Sequence, residues 1–146
     1  MYRKISPMNS NRPILRPLAP EDKARMQARM EVMRAEREAR TALLPSIRAD
    51  GEAALRRLLP IAQSDTGQSG VVARFLLNLY NGDRFPFDNT DLRRLDSGIV
   101  DDCLAVLRMD ANPEREVHKY FPNGGEIWEQ LARDWGVKDH YGNDWR

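Results

Sequence analysis

The segment from Gly70 to Asp88 constrains the fold more than any other part of the chain, because it is the longest strongly apolar stretch. Its apolar side chains recur at helical spacing and also fill most of the remaining circumference: Val71, Val72, Phe75, Leu76 and Leu79, with Ala73, Leu77 and Tyr80 between them. A helix that is apolar nearly all round is typically buried among other helices. We therefore predict a central buried helix, a left-handed stop at Asn81-Gly82 and an aromatic turn at Phe85-Pro86-Phe87.

Two helices are predicted upstream of this segment. The first runs from Pro20 to about Leu44, because proline suits the first turn and the two acidic residues that follow it favour the positive end of the helix dipole. Pro45 is expected to break or kink this helix, since proline removes a backbone hydrogen bond and restricts the residue before it. The second helix covers about residues 46–62.

Shorter helices are predicted downstream. The first is capped by Asp88, the second begins near Ser97, the third runs from Asn112-Pro113 through Phe121, and the last covers about Gly125 to Trp135. Their expected buried residues are Leu92, Leu95, Ile99, Cys103, Val106, Leu107, Ile127, Trp128, Leu131 and Trp135. Period-two alternation is nearly absent. The expected fold class is all-α: a compact multi-helix domain preceded by a long N-terminal helix and an extended basic arm.

The polar, glycine-containing sequence SDTGQSG marks the expected boundary between an N-terminal helical region and a core domain. It has neither the lysine nor the spacing of a phosphate-binding loop, and no strand precedes it. The expected organisation is an extended basic arm over 1–20, a helical region over 21–63, a linker over 64–70, a core domain over 71–136 and a polar tail over 137–146.

Composition bounds the class of protein. Charged residues make up 31% of the chain and hydrophobic residues 41%, which is typical of a soluble protein with a modest core. The chain carries no apolar run long enough for a membrane span and no apolar stretch typical of a secretory signal. The single cysteine, Cys103, excludes an internal disulfide and fits a reducing compartment. We expect a cytoplasmic protein.

Charge is distributed unevenly along the chain. Residues 1–60 carry 13 basic and 7 acidic residues, a net charge of +6, whereas residues 61–146 carry 10 and 15, a net charge of −5. The first twenty residues contain no acid and four bases, Arg3, Lys4, Arg12 and Arg16. Two interpretations stay open: a solvated terminus, or a basic arm that binds a nucleic acid or an acidic protein surface.

The long N-terminal helix carries a narrow apolar stripe made of methionine. Met26, Met30 and Met33 are spaced four and three residues apart, while Arg37 and Arg40 occupy the positions where a coiled-coil seam would continue. Methionine is favoured at adaptable binding surfaces. The stripe is either lightly packed on its own domain or a docking face for a partner, including a second copy. The candidate partner-binding residues are Arg3, Lys4, Arg12, Arg16, Met26, Met30, Met33 and Arg37.

No combination of residues typical of a catalytic, metal or cofactor site occurs in the sequence. Cys103 lies on an apolar helix face, where a buried thiol is the ordinary outcome. Glu114 and His118 share a helical face but supply only two of the ligands that a metal needs. The neighbours Asp101 and Asp102 point about 100° apart on a helix and so do not form a paired acid site. We expect neither cofactor, metal nor catalytic residues.

Nucleic-acid binding by the C-terminal helices is also disfavoured. The last three helices could form a helix-turn-helix, but the recognition helix would be GEIWEQLARDWG, which is acidic. An acidic helix is repelled by phosphates. Contacts to a nucleic acid would instead come from the basic arm and from the pairs Arg56/Arg57 and Arg93/Arg94.

A resemblance to a known family rests on four strings: TGQSGVVARFLLNLYNGDRFPFDNTDLRRLD, DDCLAVLRMDA, REVHKYF and IWEQLARDWG. They resemble a family of small uncharacterised proteins carried on proteobacterial integrative conjugative elements, plasmids and genomic islands. The resemblance covers about Leu55 to Gly136 and leaves residues 1–45 outside. It implies an accessory protein of a mobile element in a bacterial cytoplasm, and it carries over no catalytic residue.

Three functional hypotheses follow. The leading one is a non-enzymatic helical binding protein that acts through protein–protein contacts, on host defence or element-maintenance machinery. The alternative is a nucleic-acid-associated accessory protein that uses the basic arm. A third is an enzyme whose carboxylate site is assembled only by the fold, although the sequence is poor in groups for acid–base or metal chemistry.

Overall fold

The computed structural model describes residues 15–142 and shows an all-α fold in which no strand occurs within that range. Four α-helices follow one another: α1 Pro20–Ala62, α2 Ser69–Tyr80, α3 Ser97–Asp110 and α4 Gly124–Asp134. Two short 3-10 helices, Asn89–Arg94 and Val117–Tyr120, flank α3 in sequence. The all-α prediction, with its long N-terminal helix, is confirmed.

Helix α1 is continuous, so the predicted break at Pro45 is wrong. It begins at Pro20, and the carbonyl of Ala19 accepts hydrogen bonds from the amides of Asp22 and Lys23, both at 3.0 Å. Pro45 and Pro60 both lie inside it. An interior proline costs about 3 kcal/mol. That cost is offset here because good helix formers flank Pro45 on both sides and because several residues of the last three turns are buried.

The chain divides into two compact units between Arg40 and Thr41. We call residues 15–40 the N-terminal unit and residues 41–142 the C-terminal unit. This division differs from the boundary expected at 64–70. The reason is that the last three turns of α1 belong to the hydrophobic core of the C-terminal unit, where they contribute Ala54, Leu55, Leu58, Leu59 and Ala62.

The segment between α1 and α2 is held by hydrogen bonds. The Ser69 hydroxyl is buried and lies 2.7 Å from the Thr66 hydroxyl, and it accepts a hydrogen bond from the Thr66 amide at 3.0 Å. The Gln68 side chain donates to the Asp96 carboxylate at 2.8 Å and accepts from the Asp96 amide at 2.6 Å. Gln68 therefore fixes the start of α3 against the start of α2.

Helix α2 lies at the centre of the C-terminal unit, as predicted. Its buried hydrophobic residues face several directions around the helix: Val71, Val72, Ala73, Phe75, Leu76 and Leu77. The core around them is completed by Phe85, Leu95, Cys103, Val106, Met109, Val117, Tyr120, Trp128, Leu131 and Ala132. Burial of this apolar surface is the main force that holds the unit together.

The predicted left-handed stop after α2 is wrong. Asn81 ends the helix in an extended conformation, with φ −155° and ψ 98°, and Gly82 is not among the positive-φ glycines of the described residues. The side chains of two asparagines replace the glycine stop: Asn81 Oδ1 accepts from the Arg84 amide at 3.1 Å, and Asn78 donates to the Phe85 carbonyl at 3.0 Å. The chain then turns as expected, and Phe85 is buried.

Residues 88–110 follow the prediction with one exception. Asp88 caps the first 3-10 helix by accepting from the Thr90 amide at 2.9 Å. Helix α3 buries Cys103 and Val106, but Leu107 is exposed. Met109 is buried in its place, because the last turn of α3 lies close to Gly51 of α1.

The predicted helix from Asn112 to Phe121 is also wrong in extent, because only Val117–Tyr120 is helical and it is a 3-10 turn. The following turn uses a left-handed residue, Asn123, at φ 54°. Gly124 then begins α4 so close to the His118 backbone that a β-carbon there would overlap the His118 carbonyl. Helix α4 buries Trp128 and Leu131 and stops at Gly136, which adopts φ 55° as the stop signal predicts.

Candidate interaction surfaces

The first half of α1 presents a face made of exposed methionines. Met26, Met30 and Met33 are 49%, 61% and 58% exposed, and their spacing places them on one side of the helix. Arg37 follows in the same row and is also exposed. We call these four residues the methionine face. Apolar side chains grouped on a surface are typical of a binding site.

Of the four basic residues predicted to bind a partner through the arm, the structure describes one. Arg16 is described and exposed. Arg3, Lys4 and Arg12 lie outside the described residues, as does most of the extended basic arm predicted over 1–20. The described part of the chain therefore tests the methionine face and Arg16, whereas the predictions for Arg3, Lys4 and Arg12 lie outside it.

A second exposed apolar site lies on α3. Leu104 and Leu107 are 49% and 38% exposed, and half-buried Val100 precedes them by one turn. The sequence predicted that Leu107 would be buried. The periodicity of α3 is compatible with either orientation, because apolar residues cover more than half of its circumference.

The most extensive polar network in the C-terminal unit surrounds Arg84. Its guanidinium donates to Glu129 at 2.6 and 3.0 Å, and its Nε donates to Asp139 at 3.0 Å. The Tyr80 hydroxyl donates to the same Glu129 carboxylate at 3.0 Å. The guanidinium also stacks 4.7 Å from the centre of the Phe85 ring. The network joins the segment after α2, helix α4 and the chain beyond α4.

The contacts within this network shift the pKa values of its titratable groups. The hydrogen bonds from Arg84 lower the pKa of Glu129, and the hydrogen bond to Glu129 raises the pKa of Arg84. Burial, followed by its bond to Glu129, raises the pKa of Tyr80. A carboxylate whose pKa is lowered by a fixed cation is a weak proton acceptor. The network therefore suits structural cohesion better than acid–base chemistry.

The arginine pair proposed as an alternative nucleic-acid contact is occupied within the chain. Arg56 pairs with Glu52 at 2.9 Å and stacks 5.1 Å from the centre of the Phe121 ring. Arg57 pairs with Asp102 at 2.8 Å. Binding to a phosphate would have to replace these contacts. Arg93 and Arg94 are exposed at the end of the first 3-10 helix.

Three of the residues considered for catalysis and metal binding are occupied by packing or by an ion pair. Cys103 is buried, and burial raises the pKa of its thiol to about 12, so it is not an activated nucleophile. Glu114 pairs with Arg48 at 3.0 Å, while the His118 ring packs edge-on against Tyr80 at 4.9 Å. Burial lowers the pKa of His118.

The described residues contain neither a metal-binding cluster nor a membrane-spanning helix. Within residues 15–142, no group of three or more histidine, cysteine, aspartate or glutamate side chains is placed to hold a metal ion. Each helix in the same range is either too short or too polar to cross a membrane.

Comparisons with known proteins give one match. No curated protein and no solved structure matches the chain significantly. The family match covers nearly the same region as the resemblance predicted for Leu55 to Gly136, and it excludes the methionine face. The chain belongs to the family described as "Family of unknown function (DUF7673)", whose model matches residues 52–136.

Proposed function

We propose that this protein is a non-enzymatic helical binding protein that docks on a protein partner through the methionine face. One observation carries the proposal: three methionines stand about half or more exposed in one row of a regular helix. Burying such side chains against a partner gains roughly 25 cal/mol per Å² of apolar surface. Methionine also adapts to the shape of the surface it meets.

The arrangement of the chain supports separate roles for the family-matched region and for the first half of α1. The family-matched region, residues 52–136, contains most of the core and the Arg84 network apart from Asp139. The methionine face lies before it, in the N-terminal unit. We propose that the family region supplies the stable fold and that the first half of α1 supplies the contact specific to this chain.

The biological setting is part of the proposal. The strings quoted above resemble proteins of proteobacterial integrative conjugative elements, plasmids and genomic islands. We therefore propose an accessory protein of a mobile element, which acts in the bacterial cytoplasm on host defence or element-maintenance machinery. A buried, unpaired cysteine is compatible with that reducing compartment.

The test is affinity capture from a bacterial host with the full chain as bait. A double variant, Met30→Ser with Met33→Ser, removes apolar surface from the methionine face. Its matched control is Val32→Ser with Ala35→Ser, because both residues are exposed on the opposite side of the same helix. We expect a protein that the wild type and the control recover and that the double variant loses.

The captured protein must then bind the purified chain with the same dependence on Met30 and Met33. Equal recovery with the double variant and the control would remove the methionine face from the proposal. Both substitutions lie at exposed positions, so neither is expected to change the thermal melting of the core by more than a small amount.

The alternative proposal is nucleic-acid binding through the basic arm, and it is favoured by the four bases and absent acids of residues 1–20. Neutralising Arg3, Lys4, Arg12 and Arg16 together should then weaken binding to double-stranded DNA. Each lost phosphate contact should reduce the slope of log affinity against log salt by about 0.9. Absence of binding by the wild type at low salt would reject this alternative.

A further inference from the structure

The methionine face belongs to a longer row of residues with coiled-coil spacing. Alternating steps of three and four residues run through Lys23, Met26, Met30, Met33, Arg37 and Arg40, all on the described helix and all exposed. This alternation is the seam spacing of a left-handed coiled coil. The row covers 18 residues, or about 27 Å of helix. The basic residues at its ends decide which pairing it permits.

A parallel pairing of two copies brings like charges together. In that arrangement every seam residue faces its own counterpart, so Arg37 meets Arg37 and Arg40 meets Arg40. The positions that flank the seam repel as well, because Arg29 of one copy lies beside Arg34 of the other. Like charges facing each other across an interface are unfavourable.

An antiparallel pairing removes most of this repulsion. When Met30 of one copy faces Met33 of the other, the four central layers become two methionine pairs and two contacts of Met26 with the stem of Arg37. The flanking positions then place Arg29 beside Glu36 of the second copy, twice by symmetry. The two outer layers place Lys23 of one copy opposite Arg40 of the other, a like-charge contact that Asp22, next to Lys23 at the acidic start of the helix, partly offsets. Apolar fit and charge both favour this direction.

We propose that the occupant of the methionine face is a second copy of this chain, bound antiparallel through residues 22–40 of α1. The inference rests on the proposed binding role of the methionine face, and it identifies the partner at that face as a second copy rather than host or element machinery. The isologous contact uses the same patch on both copies, as the symmetry of a dimer requires. In this pairing the stem of Arg37 lies against Met26 of the other copy, whereas a parallel pairing would place Arg37 against Arg37.

Charge reversal of the flanking pair tests the proposal by sedimentation equilibrium on the purified full chain. We expect wild-type mass to rise with concentration towards two chains. Arg29→Glu should weaken dimerisation about tenfold, because two attractive pairs become repulsive. Glu36→Arg should weaken it similarly, and the double variant Arg29→Glu/Glu36→Arg should restore it. Arg25→Glu, the same charge change at an exposed position off the seam, is the matched control and should leave it near wild type.

Engineered cysteines test the direction. The antiparallel register separates the two copies of residue 26 by 11 positions, or about 16 Å along the axis, which is beyond disulfide reach. Oxidised Met26→Cys alone should therefore stay monomeric on a non-reducing gel, whereas an equimolar mixture with Arg37→Cys should give a cross-linked dimer. The parental chain, which retains the buried Cys103, is the control.

Each result has a defined meaning. A wild-type chain that stays monomeric across the concentration range overturns the proposal, and so does a dimer that Arg29→Glu strengthens, since that outcome indicates parallel pairing. A dimer equally unaffected by Arg29→Glu and Arg25→Glu places the contact elsewhere and also overturns it. If the purified chain is monomeric while Met30 and Met33 are still needed for capture of another protein, the self-pairing inference fails and the proposed function stands.

Discussion

Arg84 donates two hydrogen bonds to Glu129, from Nη1 to Oε1 at 2.6 Å and from Nη2 to Oε2 at 3.0 Å. The two residues are 45 positions apart in sequence, so the contact joins the turn after α2 to the middle of α4. The same guanidinium pairs with Asp139, whose side chain is 0% exposed. One cation thus compensates two carboxylates, one of them fully buried.

Replacement of Arg84 should therefore be costly. Arg84→Ala removes the Arg84 contacts to buried Asp139 and to Glu129, and we expect the free energy of unfolding to fall by about 3 kcal/mol. Urea denaturation followed by circular dichroism measures the change. Arg94→Ala removes an exposed arginine from a neighbouring 3-10 helix and should change stability by less than about 0.5 kcal/mol. Equal effects of the two substitutions would show that the network does not stabilise the fold.

An aspartate should reduce thermal stability far more at a core leucine than at a surface leucine. Leu76 is 0% exposed at the centre of the fold, so Leu76→Asp buries an unpaired carboxylate and should unfold the C-terminal unit. Leu104→Asp makes the same change at a half-exposed position of α3 and should leave a cooperative transition with a small shift. Thermal melting by circular dichroism measures both. A normal melt for Leu76→Asp would contradict the core assignment.

Substitution by alanine should have different effects on stability at two adjacent glycines. A β-carbon at Gly124 would collide with the backbone carbonyl of His118, which cannot move as a flexible side chain can. Gly124→Ala should cost several kcal/mol or prevent folding, by analogy with overpacked cores that lose about 1–3 kcal/mol. A β-carbon at Gly125 meets nothing within 4 Å, so Gly125→Ala should be neutral or stabilise α4 by up to about 1 kcal/mol. Similar losses at both positions would contradict the close approach.

His118 should make stability depend on pH. Burial, followed by the nearby Lys119, lowers its folded-state pKa below the ordinary value of 6.5. His118 in the folded state therefore binds fewer protons than in the unfolded state. The contribution of neutral His118 to stability is present above pH 6.5 and is lost as the pH falls towards the folded-state pKa. Urea midpoints between pH 7.5 and about pH 5 should fall less steeply for His118→Gln than for the wild type.

The matched control is His140→Gln, which removes the exposed histidine and leaves the half-buried His118 ring in place. An unchanged pH profile in His118→Gln would show that the ring does not carry this dependence. A steeper fall of the urea midpoint in His118→Gln than in the wild type would show that the folded state raises the pKa of His118 instead of lowering it.

Local sequence rules predicted the core helix but failed where distant contacts decide the backbone. Helix α2 was predictable because its apolar residues surround the helix, which leaves burial as the outcome. Pro45 was expected to break α1, yet its cost is local, whereas the helix after it is held by buried residues between Gly51 and Ala62. Val117 and Tyr120 are both buried and three residues apart, a spacing that suits a 3-10 turn as well as an α-helix.

The candidate surfaces were predictable in part. The methionine stripe follows from spacing, but its exposure depends on what packs against the helix, which spacing does not record. The Arg84 network could not be predicted, because Glu129 and Asp139 lie 45 and 55 residues away and share no motif with it. The exposure of Leu107 could not be predicted either, since an apolar residue on a mostly apolar helix can face the core or the solvent.

Two indole N–H groups attach the last helix and its end to the rest of the C-terminal unit. Trp128 donates to the Leu76 carbonyl at 3.0 Å, and Trp135 donates to the Ala62 carbonyl at 2.9 Å. Both acceptors are main-chain atoms, which every residue type supplies. Mutational drift at positions 62 and 76 can therefore change packing volume without abolishing either acceptor. The attachment tolerates evolutionary change on the acceptor side and depends on two tryptophans on the donor side.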